Sequence, residues 1–122
     1  MVQANELISS IIKGIEDKKG EEIKVLDLRK QQGAISDYFV ICQANSNVQV
    51  AAVADSVQET VFKKTGEKIY HQEGYDNSNW ILLDYFNVIV HVFQPQFREF
   101  YNLEELWADA EVVEFQKTRE KL

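Results

Sequence analysis

The sequence predicts an α/β sandwich: a single domain in which a mixed β-sheet is flanked by helices. Three observations carry that reading. Two stretches, Ile8 to Ile15 and Val50 to Val61, place apolar residues at helical spacing. DYFVICQ, residues 37–43, is a continuous apolar run of the kind found in strands covered on both faces, and WILLDYFNVIVHVF, residues 80–93, reads as a hairpin. At 122 residues and 45% hydrophobic content the chain has the size and apolar material for one core, and no linker, repeat or low-complexity tract divides residues 1–122.

Residues 4–19 put Ile8, Ile11, Ile12 and Ile15 on one helical face, with Gly20 expected to supply the left-handed stop. EIKVLDL, residues 22–28, is short and rich in branched side chains, and the turn-like RKQQGAIS follows it, so a strand and a connection are predicted. DYFVICQ is the next strand and belongs in the middle of the sheet. Asn45, Ser46 and Asn47 are able caps for a helix over 47–65 that buries Val50, Val53, Ala54, Val57 and Val61 and stops at Gly66. KIYHQ (68–72) is a short strand, and EGYDNSN (73–79), dense in turn formers, is an exposed loop. The hairpin turn is expected at Tyr85, Phe86 and Asn87, with Asn87 taking the positive φ. Pro95 ends the last strand. Asn102 as cap and Glu105 three residues on then open a helix carrying Leu103, Leu106, Trp107 and Ala110, with 110–122 prolonging it or fraying as a tail.

Charge and composition narrow the function. A formal net charge of -7, from 20 acidic against 13 basic residues, disfavours wide contact with a phosphate backbone, which needs clustered Lys and Arg. It suits approach to a basic protein surface. No segment reaches the roughly 18 apolar residues of a membrane span, and the N-terminal stretch has neither a secretory signal nor a transit segment, so a cytoplasmic protein is expected. The one cysteine, Cys42, lies in the apolar YFVIC run without an adjacent base, as a small buried hydrophobe does.

Catalytic chemistry finds little to work with. The two histidines, His71 and His91, are separated by a turn-rich loop, and a metal site would need carboxylates from elsewhere. His91 alternates with Val90 and Val92 in a strand, as a hydrogen-bonded structural imidazole would. There is no G-x-S-x-G, no Walker loop and no G-x-G-x-x-G. Nucleotidyl or phosphoryl transfer, the alternative reading, would have to draw metal-binding carboxylates from Asp27, Asp37 and Asp84, and neither Asp27 nor Asp37 has a D-x-D partner or a preceding Gly-Ser. No cofactor and no metal are expected. What remains is a concentration of aromatics: Trp80, Tyr85, Phe86, Phe93, Phe97, Phe100, Tyr101 and Trp107. Phe93 and Phe100 are expected in the core; Trp80 and Trp107 are open to core and interface alike, since Trp, Tyr and Arg most often anchor protein interfaces. The acidic Glu104, Glu105 and Asp109 read as a solvated helix face unless a basic partner meets them.

SDYFVICQANSNVQVAAVAD at 36–55, EG and then W at 73–80, WILLDYFNVIVHVF at 80–93 and FREFYNLEELWADA at 97–110 together resemble the Iojap family of ribosomal silencing factors, in order over residues 4 to 110. The resemblance implies a sandwich distantly related to nucleotidyltransferases without their catalytic residues. It implies a non-enzymatic factor, often a homodimer, that binds ribosomal protein L-fourteen of the large subunit and sterically blocks subunit joining, lowering translation when nutrients are scarce. Carried over by motif, the contact residues are Trp80, Leu82, Asp84, Tyr85, Arg98, Tyr101, Asn102, Glu104 and Trp107, with Ser46 and Asn47 as weaker candidates. Two departures stand out: Ala44, Asn45 and Ser46 replace the family's common Gly-Thr-Ser, with Val48 where a basic residue often follows, and Phe86 and Asn87 replace a common Gly-Asp.

Overall fold

A computed structural model describes residues 3–113. The chain runs α1 (Ala4–Asp17), β1 (Glu21–Asp27), β2 (Tyr38–Gln43), α2 (Asn47–Thr65), β3 (His71–Glu73), β4 (Trp80–Asp84), β5 (Val88–Phe93), α3 (Pro95–Tyr101), α4 (Leu103–Leu106) and β6 (Glu111–Val113). The six strands form one mixed sheet in the order β3-β4-β5-β2-β1-β6. Only the central pair, β2 and β5, is parallel; the other neighbours are antiparallel. The fold is the predicted sandwich, and DYFVICQ holds the expected central place.

Alternation along the strands divides the sheet into two faces. Val25, Val40, Cys42, Ile81, Leu83, Val90 and Val92 point to the first face, where the isoleucines of α1 and the valines of α2 close over them. Leu26, Phe39, Ile41, Ile89 and Phe93 point to the second, where Phe97, Leu103 and Trp107 from the short α3–α4 segment give partial cover. One face is therefore sealed by two long helices and the other only in part. Burial, outweighing the opposing pull of the Arg98 charge, pushes the Cys42 thiol up to about 12, the value of an inert structural cysteine.

Local chemistry sets the helix limits. The Ser46 hydroxyl accepts from the Gln49 amide at 3.1 Å to open α2, and Gly66, at φ 79°, closes it. α1 departs from expectation at its stop: Lys19, at φ 62°, takes the left-handed position, and the Gly20 amide donates to the Ile15 carbonyl. Gly20 is small for packing instead, since a Cβ there would collide with the Ile15 side chain.

One further expectation is extended and two are corrected. Pro95 does more than end β5: it sits at the first turn of α3, where a missing N–H costs nothing. Phe86, at φ 79°, and not Asn87 takes the left-handed turn position, because the Asn87 carbonyl is engaged by the Tyr38 amide in the sheet's parallel register. A bulky residue is strained there; the Asp84 carboxylate accepting from the Phe86 amide at 2.7 Å, the Ser36 hydroxyl donating to its carbonyl at 3.2 Å, and the Tyr70 ring stacked at 4.6 Å hold it. Finally, the helix opened by Asn102 stops at Leu106, and residues 111–113 form β6 against β1; the remainder of the expected tail, 114–122, lies outside the described residues.

Candidate functional site

The partly covered second face gathers the aromatics. From the interior outward, Trp80 stacks on Phe93 at 4.9 Å and packs at a tilt against Tyr101 at 4.7 Å, and Tyr101 meets Phe100 edge-on at 5.1 Å. Beneath them His91 lies 4.4 Å from Phe39, and Trp107 lies 6.5 Å from the same ring. Trp80, Leu82 and Trp107 are half-buried, whereas Phe100 is 77% exposed, Leu106 70% and Tyr101 48%. Phe100 was expected in the core. Phe97, one turn earlier, takes the sheet-facing position of α3, and this two-turn helix leaves Phe100 on the rim.

Several residues expected at a contact surface are occupied within the chain. Arg98 grips Glu104 with two parallel hydrogen bonds, Nε to Oε1 at 3.0 Å and Nη2 to Oε2 at 3.1 Å, and its Nη1 reaches the Glu22 carbonyl at 2.7 Å and Gln43 Oε1 at 3.2 Å. Lys24 Nζ adds a contact to Glu104 at 3.2 Å. Arg98 first and Lys24 second hold the Glu104 carboxyl below its ordinary range. This network ties α3 and α4 to β1 and β2. Asn102 is the joint between the two helices: at φ 48° it ends α3, its Oδ1 accepts from the Glu105 amide, and its Nδ2 donates to Glu105 Oε1. Asp84 caps the Phe86 turn, and Ser46 caps α2, with Asn47 exposed beside it.

Tyr85 leaves the expected set altogether. It stands five residues after Trp80, an odd offset that turns it to the opposite face, and it is 5% exposed among the first-face core residues. Its hydroxyl is buried without a hydrogen-bond partner among the described residues, and burial pushes its pKa up. Tyr85→Phe should therefore leave stability unchanged or raise it by up to about 1 kcal/mol, since it removes an unpaired polar atom and keeps the ring. A loss above about 1 kcal/mol on urea unfolding would mean the hydroxyl has a partner.

The alternative carboxylate chemistry fares poorly on geometry. Both Asp27 oxygens are held by the Arg29 guanidinium at 3.0 and 2.7 Å, which keeps its carboxyl below the usual range, and Asp84 is spent on its turn. Among the described residues no three His, Cys, Asp or Glu side chains converge as a metal site.

The model of the family described as "Ribosomal silencing factor during starvation" matches residues 2–122. The chain belongs to this family. It is 40% identical to a protein named ribosomal silencing factor RsfS from Halalkalibacterium halodurans, over 91% of this chain and 93% of that one, and 38% identical to the Bacillus subtilis protein of that name, over 81% and 82%. The maize protein named Iojap, chloroplastic, is 35% identical over 86% of this chain and 45% of its own length. A crystal structure of a Chromobacterium violaceum protein superposes with a TM-score of 0.81 at 34% identity, covering 88% of each chain. Family membership and the mixed-sheet fold agree with the motifs and topology above. None of the described helices is long and apolar enough to cross a membrane.

Set in this family, the expected contact residues divide in two. Trp80, Leu82, Tyr101 and Trp107 share one face with accessible surface, joined by Phe100 beside Tyr101. Arg98, Glu104 and Asn102 hold the α3–α4 segment in place, and Asp84 holds the Phe86 turn.

Proposed function

We propose that this chain represses translation by binding ribosomal protein L-fourteen on the large subunit and sterically blocking its joining with the small subunit when nutrients are limiting. It acts by occupancy, as a cytoplasmic protein and a homodimer, with little direct contact to nucleic acid and without catalysis. The observation that supports this best is the aromatic strip Trp80–Tyr101–Phe100, left open on a face where Phe93 and Phe39 back it. Exposed aromatics over a rigid base are the usual anchors of protein interfaces. Glu99, Glu105 and Asp109, exposed on the same α3–α4 segment, supply an acidic rim suited to a basic ribosomal protein.

Sedimentation with purified subunits tests the reading: the protein should travel with large subunits and prevent their joining to small ones. Tyr101→Ala should weaken that association by about 2 kcal/mol. Its melting temperature should barely move, because the ring is half exposed. Migration with neither subunit would overturn the proposal, and an unaltered affinity in Tyr101→Ala would remove this strip from the contact.

A further inference from the structure

We infer that His91 is a positioning residue that fixes the Trp80 indole in the orientation the partner surface requires, an inference that rests on the proposed binding face. His91 stands in the middle of β5, opposite Leu82 of β4, and is 3% exposed. Its Nδ1 accepts a hydrogen bond from Trp80 Nε1 at 3.1 Å. A ring nitrogen that accepts carries no proton, so the neutral imidazole bears its hydrogen on Nε2. That Nε2 is buried and meets no hydrogen-bond partner among the described residues.

An unpaired buried donor is destabilising, and an apolar side chain of similar size would avoid it. Among the described residues, the imidazole's one side-chain hydrogen bond is the one to Trp80. The ring is also unable to turn freely, with Phe39 edge-on at 4.4 Å and Phe93 nearly parallel at 6.2 Å. Trp80 is thus held in two ways. Phe93 stacks on its face with Tyr101 packed against it at a tilt, and His91 fixes its rotation about the stack by holding one edge. Stacking alone tolerates several ring rotations; a hydrogen bond to a locked acceptor selects one. Ordering an interface side chain before binding removes that cost from association.

The test compares His91→Leu, which deletes the acceptor, with His91→Asn, whose Oδ1 branches from Cγ as Nδ1 does. In indole ¹⁵N NMR, with the Trp80 peak assigned by Trp80→Phe, His91→Leu should shift that peak and speed its hydrogen exchange at least about tenfold, while His91→Asn stays close to wild type. Binding to isolated large subunits should weaken about tenfold in His91→Leu and recover in His91→Asn. In the Trp80→Phe background, where no N–H remains to be held, His91→Leu should cost no further affinity. An unchanged indole signal in His91→Leu, or a changed one with wild-type affinity, overturns the inference. Wild-type affinity in Trp80→Ala would instead overturn the binding face and the inference together, so the two failures are distinguishable.

Discussion

Gly14→Val should destabilise the protein by about 3 kcal/mol or more, although valine has the better helix propensity. Gly14 lies inside α1, where glycine is normally a liability. Here it lets two helices touch backbone to backbone. A Cβ on Gly14 would stand 2.7 Å from Val57 Cα, 3.0 Å from the Ser56 carbonyl oxygen and 3.1 Å from the Val57 nitrogen. All three are main-chain atoms of α2 and cannot swing aside as a side-chain tip can. The Ser56 hydroxyl donates to the Gly14 carbonyl at 2.8 Å across the same crossing, and a forced separation breaks that buried bond. The displacement would then spread to Ile11, Ile15, Val53 and Val57, which seal the first face. Urea unfolding measures the loss. Gly14→Ala makes the sign informative: propensity alone predicts a gain, the close approach predicts a loss, and a more stable Gly14→Ala would show that the helices can part cheaply.

That crossing also shows what could be read from sequence. α2 was legible in its extent, because a polar cap, here Ser46 among three candidates, and a glycine stop act through bonds only a few positions away. So was the central place of β2, whose unbroken apolar run needs cover on both faces. β6 was not legible: three residues become a strand because β1 offers an open edge, and nothing local says so. Pro95 was read as an ending when it is also a beginning, and only the chain's turn over the sheet separates the two. At the candidate site, composition marked the aromatics and the family motifs marked the segment, yet neither told anchors from supports. Parity along β4 was a signal available for Tyr85. No comparable signal existed for Arg98 and Glu104, which meet each other and the distant residues of β1 and β2 only through the fold.

The Arg98–Glu104 pair gives the partly covered face a fixed frame, and His91 gives it a pH limit. Burial lowers the His91 pKa from its ordinary 6.5 to about 3 in the folded protein. The unfolded chain takes up this proton as pH falls below about 6.5. The native state resists it until about pH 3, so between those values the unfolded state binds more protons. The stability contributed by neutral His91 is therefore fully present above pH 6.5 and is lost progressively as pH falls towards 3, by on the order of 4 kcal/mol across the window. Protonation would also end the Trp80 contact, because Nδ1 would then carry a hydrogen facing the indole N–H. Unfolding free energies measured from pH 7 to 3.5 should fall more steeply in wild type than in His91→Leu. The carboxylates of Asp27 and Glu104, held below their ordinary range, are common to both proteins and cancel in the difference. The two curves should converge or cross on acidification, with His91→Leu the more acid-resistant; parallel curves would mean that the buried imidazole can be protonated in place, and that the sheet yields around it more readily than its packing against Phe39 and Phe93 implies.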